Sequence, residues 1–170
     1  PQTSADKIIG HVRHSVHMGR EAGLPEAIID FMHTHHGESR VEFFYQRARQ
    51  AAENPDEVDP VAFTYPGENP QTKETGILMI VDSVEAASRT VAEPTRAALE
   101  KLVNHIVHHK LALGLLDECE LTLEDLKKIE ANLVDTILHS SHDRITDPWQ
   151  EEERQREREA SAKHVAAGSA

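Results

Sequence analysis

Cysteine occurs once in these 170 residues, at position 119, which excludes an intramolecular disulfide framework and fits a reducing compartment. Aromatic side chains make up only 4% of the chain, so aliphatic residues presented from helices must fill the core. No apolar run approaches the roughly 20 residues that a membrane-spanning helix needs, and no secretory signal pattern stands at the start. Positive charge is also short. The formal net charge is −12, which repels a nucleic-acid polymer unless bound metal ions reverse the field locally. Internal repeats, the alternation of half-buried strands and a glycine-rich phosphate loop are missing as well. The first residue is Pro rather than Met, and a piece of a longer protein is expected.

What the chain does have is helical periodicity. Its 38% hydrophobic content suffices for one core of ordinary size, and its length suggests one domain. Ile8, Ile9, Val12 and Val16 recur at helical spacing after Ser4, which reads as an N-cap, and the pattern runs to Ala22-Gly23. Leu24-Pro25 opens a second helix. Its apolar run (Ile28, Ile29, Phe31, Met32) closes on His35-His36 before Gly37, a residue type that commonly ends helices in a left-handed conformation. A third pattern over residues 39–52 places Val41, Phe44, Tyr45 and Ala48 on one face. Periodicity then stops. Residues 53–71 are rich in prolines and acids, a loop long enough to be either functional or disordered, and Phe63 and Tyr65 favour a docked, ordered one. A fourth helix from about Thr72 carries the most apolar run of the chain, interrupted by Asp82. A fifth, from about Pro94, has Leu99, Leu102, Val103, Ile106, Val107 and Leu111 as its stripe and Gly114 as its stop. Thr122 and Asp125 resemble a capping box opening a sixth, with the stripe Leu126, Ile129, Leu133 and Ile137. The fold class is therefore all-α, with one domain over residues 1–148. Residues 149–170 lack an apolar stripe and read as a charged, disordered tail.

The histidines are the residues most open to a chemical reading. His35 and His36 stand together at a helix terminus beside an apolar face, and neutral imidazole is a good ligand for zinc, iron, manganese or nickel. His11 and Asp82, each polar within an apolar pattern, strengthen that reading. Each also has a structural explanation: the pair as an exposed helix end plus a hydrogen-bonded core imidazole, and Asp82 as a partner of Arg89 or a cap. His105, His108 and His109 have ligand-like spacing but flank an apolar stripe and precede Lys110, so a solvated face is expected there. His14, His17 and His33 read as exposed. Cys119 lies in an acidic connector with nothing to activate its thiol, and is not expected to be a nucleophile.

In order, the segments Ile8-Ile-Gly-His11-Val12, Gly23-Leu-Pro-Glu-Ala-Ile-Ile-Asp-Phe31, His35-His36-Gly37, Phe44-Tyr45, Tyr65-Pro-Gly67, Pro70-Gln-Thr-Lys-Glu-Thr75, Asp82-Ser-Val-Glu-Ala-Ala-Ser-Arg89 and Leu116-Asp-Glu-Cys-Glu-Leu-Thr-Leu-Glu-Asp-Leu126 resemble the cytoplasmic HD domain of bacterial seven-transmembrane HD proteins. The resemblance covers residues 8–148. It implies an HD-domain helical bundle, N-terminally truncated here, and a metal-dependent phosphodiesterase that opens cyclic di-AMP to a linear dinucleotide. By motif position it implies His11, His35, His36 and Asp82 as metal ligands. It further implies two divalent ions in the intact domain, with manganese or iron ahead of zinc or magnesium. Lys73 and Arg89 are candidate phosphate contacts, set against an exposed helix-start lysine and an Arg89–Glu85 pair. Membrane segments and a sensor would precede this piece, placing it on the cytoplasmic side of the bacterial inner membrane. A homodimer is a further expectation.

One departure bears on activity. The family's sites also use a His and a His-Asp dipeptide upstream of the His11 helix, where this chain has no residues. His142-Asp143 is not that dipeptide, since it falls where the family has a terminal His-x-Arg-Ile element. A single-metal or empty site, and core surface left uncovered, are expected for this chain alone. The alternatives are a degenerate HD module that binds nucleotide or a partner without hydrolysis, and an HD phosphohydrolase acting on another nucleotide such as guanosine tetraphosphate.

Overall fold

Where the sequence changes its period, the structure changes element. A computed structural model describes residues 2–142 and contains six helices: α1 (Gln2–Glu21), α2 (Glu26–Thr34), α3 (Glu42–Ala51), α4 (Lys73–Ser88), α5 (Arg96–Ala112) and α6 (Leu123–His142). Two short 3-10 turns, Pro55–Glu57 and Pro60–Phe63, punctuate the long connection between α3 and α4. Among the described residues there is no strand, only an isolated antiparallel bridge between Arg40 and Thr64. The tail over residues 149–170 and the Asp143-Arg144-Ile145 part of the terminal element lie outside the described residues.

The core belongs to the second half of the chain. Met79, Ile80 and Val84 of α4, Leu99, Val103 and Val107 of α5, and Leu126 and Val134 of α6 form one buried cluster, joined by Leu115, Leu116 and Cys119 from the α5–α6 connection. The aliphatic filling expected from the shortage of aromatics is what is found. The N-caps of α4 and α6 are local capping boxes. Thr72 and Thr75 exchange side-chain and backbone hydrogen bonds at the start of α4, and Thr122 and Asp125 do the same at the start of α6. Cys119 is buried with its thiol donating to the Leu116 carbonyl at 3.1 Å. It packs where a Cβ on Gly76 would come within 2.7 Å of its sulfur, which is a packing role.

The first half is a helical hairpin laid on that core. Gly23, at φ 71°, ends α1 in a left-handed turn in which its N–H donates to Arg20 and that of Leu24 to Gly19. The two helices then meet at Gly19, whose missing Cβ leaves room for Ile29.

Three expectations need correction. Ser4 is not the N-cap, because α1 already begins at Gln2, whose amide reaches the Ala62 carbonyl and the Asp6 carboxylate. Ile8 and Ile28, expected among the packed residues, are 38% and 44% exposed. The inner stripe of α1 is instead Ala5, Val12 and Gly19, and on α2 it is Ile29 rather than Ile28 that is buried, packing against α1 at Gly19. The third helix is shorter than residues 39–52, since Ser39 and Val41 are drawn into extended backbone bonds with Tyr65 and Phe63.

Candidate metal centre

The hairpin turn determines which histidines meet. His11 and His35 are equally far along the chain from Gly23, so two antiparallel helices joined there carry them to the same level. Their Nε2 atoms are 3.4 Å apart. His36, the next residue, lies with its ring centroid 5.1 Å from that of His11 and 4.1 Å from that of His35. One nitrogen from each of the three rings falls within 4.8 Å of the others.

The outer nitrogens of two of these rings are already occupied. His35 Nδ1 lies 3.1 Å from the Phe31 carbonyl and 2.9 Å from that of Met32, and His11 Nδ1 lies against the Ile8 carbonyl. A carbonyl can only accept, so in the neutral rings Nδ1 carries the proton and Nε2 bears the lone pair. Two lone pairs then face each other across 3.4 Å, an arrangement that calls for a cation between them. Backbone carbonyls that fix a tautomer and aim the other nitrogen inward are the usual support of metal-bound histidine. The third ring is ready as well. Burial, and then the charges of His35, His11 and Lys110, lower the His36 pKa to about 3, leaving a neutral imidazole at physiological pH. These residues fit a divalent ion.

The α2 terminus is held in place by the long connection. Gly37, at φ 52°, closes the helix, and the next N–H, that of Glu38, donates to Asn69 Oδ1 at 3.2 Å. The bonds of residues 39–41 to residues 63–65 bring Tyr65 under the histidines. Its ring stacks on His36 at 4.3 Å, with planes 20° apart, and meets His11 edge-on. Burial, with a smaller contribution from Asp82, pushes the Tyr65 phenol up to about 12, so it stays protonated.

Asp82 arrives from α4. Its Oδ2 is 3.8 Å from His36 Nδ1, placing a half-exposed carboxylate at the edge of the imidazole group. All four candidate ligands are thus brought together from three elements. Lys73 and Arg89 are not. Lys73 donates to Asp125 of α6 at 2.8 Å, and Arg89 pairs with Glu85 at 2.7 Å. At the α-helical rise they stand about 13 Å and about 10 Å along α4 from Asp82. His105, His108 and His109 are exposed, as expected.

One charged residue near the site escaped the sequence reading. Lys110 of α5 is only 7% exposed; its charge bears on His36, and the charge of Asp82 bears on it. The signal was present in its position, since Val103, Val107 and Lys110 continue one stripe, but a lysine after a histidine pair reads more naturally as solvated.

No protein-family profile matches the chain. In sequence it is 38% identical over 148 residues to the cyclic-di-AMP phosphodiesterase PgpH of Bacillus subtilis and 36% identical over 148 residues to that of Listeria monocytogenes. Each match covers 87% of this chain and 20% of the relative, so the chain spans about a fifth of the length of these curated relatives. In structure it is similar to the crystal structure of the L. monocytogenes PgpH HD domain in complex with cyclic-di-AMP. The TM-score is 0.77 at 33% sequence identity, over 82% of this chain and 64% of that one. The same domain in a second crystal structure gives a TM-score of 0.75 at 34% identity.

Proposed function

We propose, from the premise that the chain is an HD domain of the PgpH type, that the intact protein is a metal-dependent phosphodiesterase opening cyclic di-AMP to a linear dinucleotide. The observation that carries this reading is the group of His11, His35 and His36 with Asp82 at its edge, set in a fold shared with a domain crystallised with cyclic-di-AMP. His11 and His35 would hold a divalent ion through Nε2, His36 through a ring nitrogen, and Asp82 through a carboxylate oxygen. Bound divalent metal supplies neutralisation of phosphate oxygens and acidification of a water. Mixed imidazole and carboxylate donors suit manganese or iron, and two ions are proposed for the intact domain.

In the reaction a P–O bond forms to the water oxygen, one ester P–O bond breaks, and the leaving alkoxide takes up a proton. The chain's own residues fix the imidazoles through the Ile8, Phe31 and Met32 carbonyls and wall one side with Tyr65. A phosphate role for Lys73 and Arg89 has less support, because each is held by a carboxylate away from the histidines. Residues 1–148 would form the C-terminal part of the catalytic domain and residues 149–170 a charged tail. No helix among the described residues is long and apolar enough to cross a membrane. Tethering to the cytoplasmic face of the bacterial inner membrane would come from other segments, and a homodimer is proposed as its state in solution.

The test is chromatographic. The intact protein, loaded with manganese or iron, should convert cyclic di-AMP to a linear dinucleotide and lose that activity on chelation. Turnover of guanosine tetraphosphate instead would transfer the reading to another nucleotide. Binding of cyclic di-AMP without turnover under any metal would establish a non-catalytic module.

A further inference from the structure

Lys110 is a buried lysine that forms no ion pair. It is only 7% exposed, and among the described residues no carboxylate makes an ion pair with its ammonium. A charge largely withdrawn from water is costly unless an anion comes to it, and the tip of this ammonium is left open to receive one. Its position narrows the choice of partner. Val103 and Val107 precede it on the face of α5 that packs against α4, and α4 carries Asp82. The charge of Lys110 bears on His36 and that of Asp82 bears on Lys110, so with α5 packed on α4 the ammonium belongs to the neighbourhood of the proposed metal group. Asp82 cannot fully serve as its anion when that carboxylate is engaged by a metal ion. A phosphodiester held at the histidines would bring a negative oxygen to the same place.

We propose that Lys110 is a substrate-contacting residue whose ammonium donates to a non-bridging oxygen of the bound phosphate group. The inference rests on the phosphodiesterase reading for its substrate but not for its chemistry, since any phosphate ligand of the site would meet the same cation. Lysine suits the task as a compact charge on a long stem that can lie along the apolar stripe. Lys73 and Arg89 are both already ion-paired, and Arg13, which lines the small cavity beside His36 and Tyr65, is the other cation on this side of the site.

The experiment uses the intact, metal-loaded protein and its Lys110→Met, Lys110→Gln and Lys110→Arg variants. Metal content and helicity are measured first, then the affinity for inorganic phosphate, then kcat and KM with cyclic di-AMP. Losing one charged hydrogen bond should weaken phosphate binding about 10- to 100-fold in the Met and Gln variants, with metal content and helicity unchanged and partial recovery in Lys110→Arg. Catalytic efficiency should fall by a similar factor. Wild-type phosphate affinity in Lys110→Met or Lys110→Gln would overturn the proposal. So would loss of metal from both neutral variants, which would make Lys110 a support of the metal group. If the wild type leaves cyclic di-AMP intact while phosphate affinity still depends on Lys110, the substrate reading fails and the role of Lys110 stands.

Discussion

The imidazole of His36 lies on the phenol ring of Tyr65, with centroids 4.3 Å apart and planes 20° from parallel. Tyr65 is itself buried, so the stack restricts the ring on one face while Asp82 approaches its edge. Replacing Tyr65 with Ala should free that ring and weaken metal binding by about 10-fold or more, the range found for supporting residues around metal ligands. Tyr65→Phe keeps the stack and should stay close to wild type. Competition titration against a chelator would measure both, and equal affinities for wild type and Tyr65→Ala would show the stack to be immaterial.

Asp82 interrupts the apolar run of α4 yet is half exposed, so its removal leaves no cavity in the core. Asp82→Ala in the intact protein should therefore abolish metal-dependent cleavage of cyclic di-AMP while circular dichroism shows the helices retained. Full activity in that variant would remove Asp82 from the site.

The elements and the histidines were legible in the sequence for different reasons. Helix positions follow from local periodicity and from stops such as Gly23 and Gly114, and the Thr122–Asp125 capping box could be read from two residues. The meeting of His11 with His35 needs only the turn at Gly23 and the rule that antiparallel helices align residues equally distant from their turn. Tyr65 was read only as a sign of an ordered loop, since its place under His36 depends on extended pairing of residues 39–41 with residues 63–65, a long-range relation that periodicity does not carry. Lys110 was missed because residue type outweighed position. Hydrophobicity alone does not say which apolar residue of a helix is buried: Ile8 and Ile28 are partly exposed, whereas Ile29 packs at Gly19, where the missing Cβ lets the helices approach.

Gly37 should tolerate no side chain. Its φ is 52°, and a Cβ there would stand 2.9 Å from Met79 Cε and collide with the Asn69 side chain. Gly37→Ala should cost about 1–3 kcal/mol from backbone strain and overpacking together, read as a shift in the urea midpoint with unchanged slope. Gly10, within α1 and with nothing within 4 Å of an added Cβ, supplies the contrast. Gly10→Ala should stabilise by about 0.5–1 kcal/mol through helix propensity. The reverse order of these two variants would contradict the packing described around Gly37.

The last prediction concerns the stability cost of Lys110 in the metal-free protein. Burial lowers its pKa to about 8, against a smaller opposing pull from Asp82, whereas an unfolded chain holds a lysine proton to about 10.4. Between those values the unfolded state binds more protons, so this group makes stability rise with pH. Below about 8 both states carry the charge and the folded state bears the full cost of burying it; near 10.5 and above both are neutral and the cost is gone. A methionine at this position keeps the stem and removes the charge. Lys110→Met should therefore be more stable than wild type at pH 7, by about 3 kcal/mol at most for a shift of this size, and the advantage should shrink as pH rises from 8 toward 10.5. Urea unfolding of both proteins in chelator across that range measures the difference. An advantage independent of pH would assign it to better apolar packing, and a less stable variant would mean that the ammonium already has a stabilising partner in the folded chain.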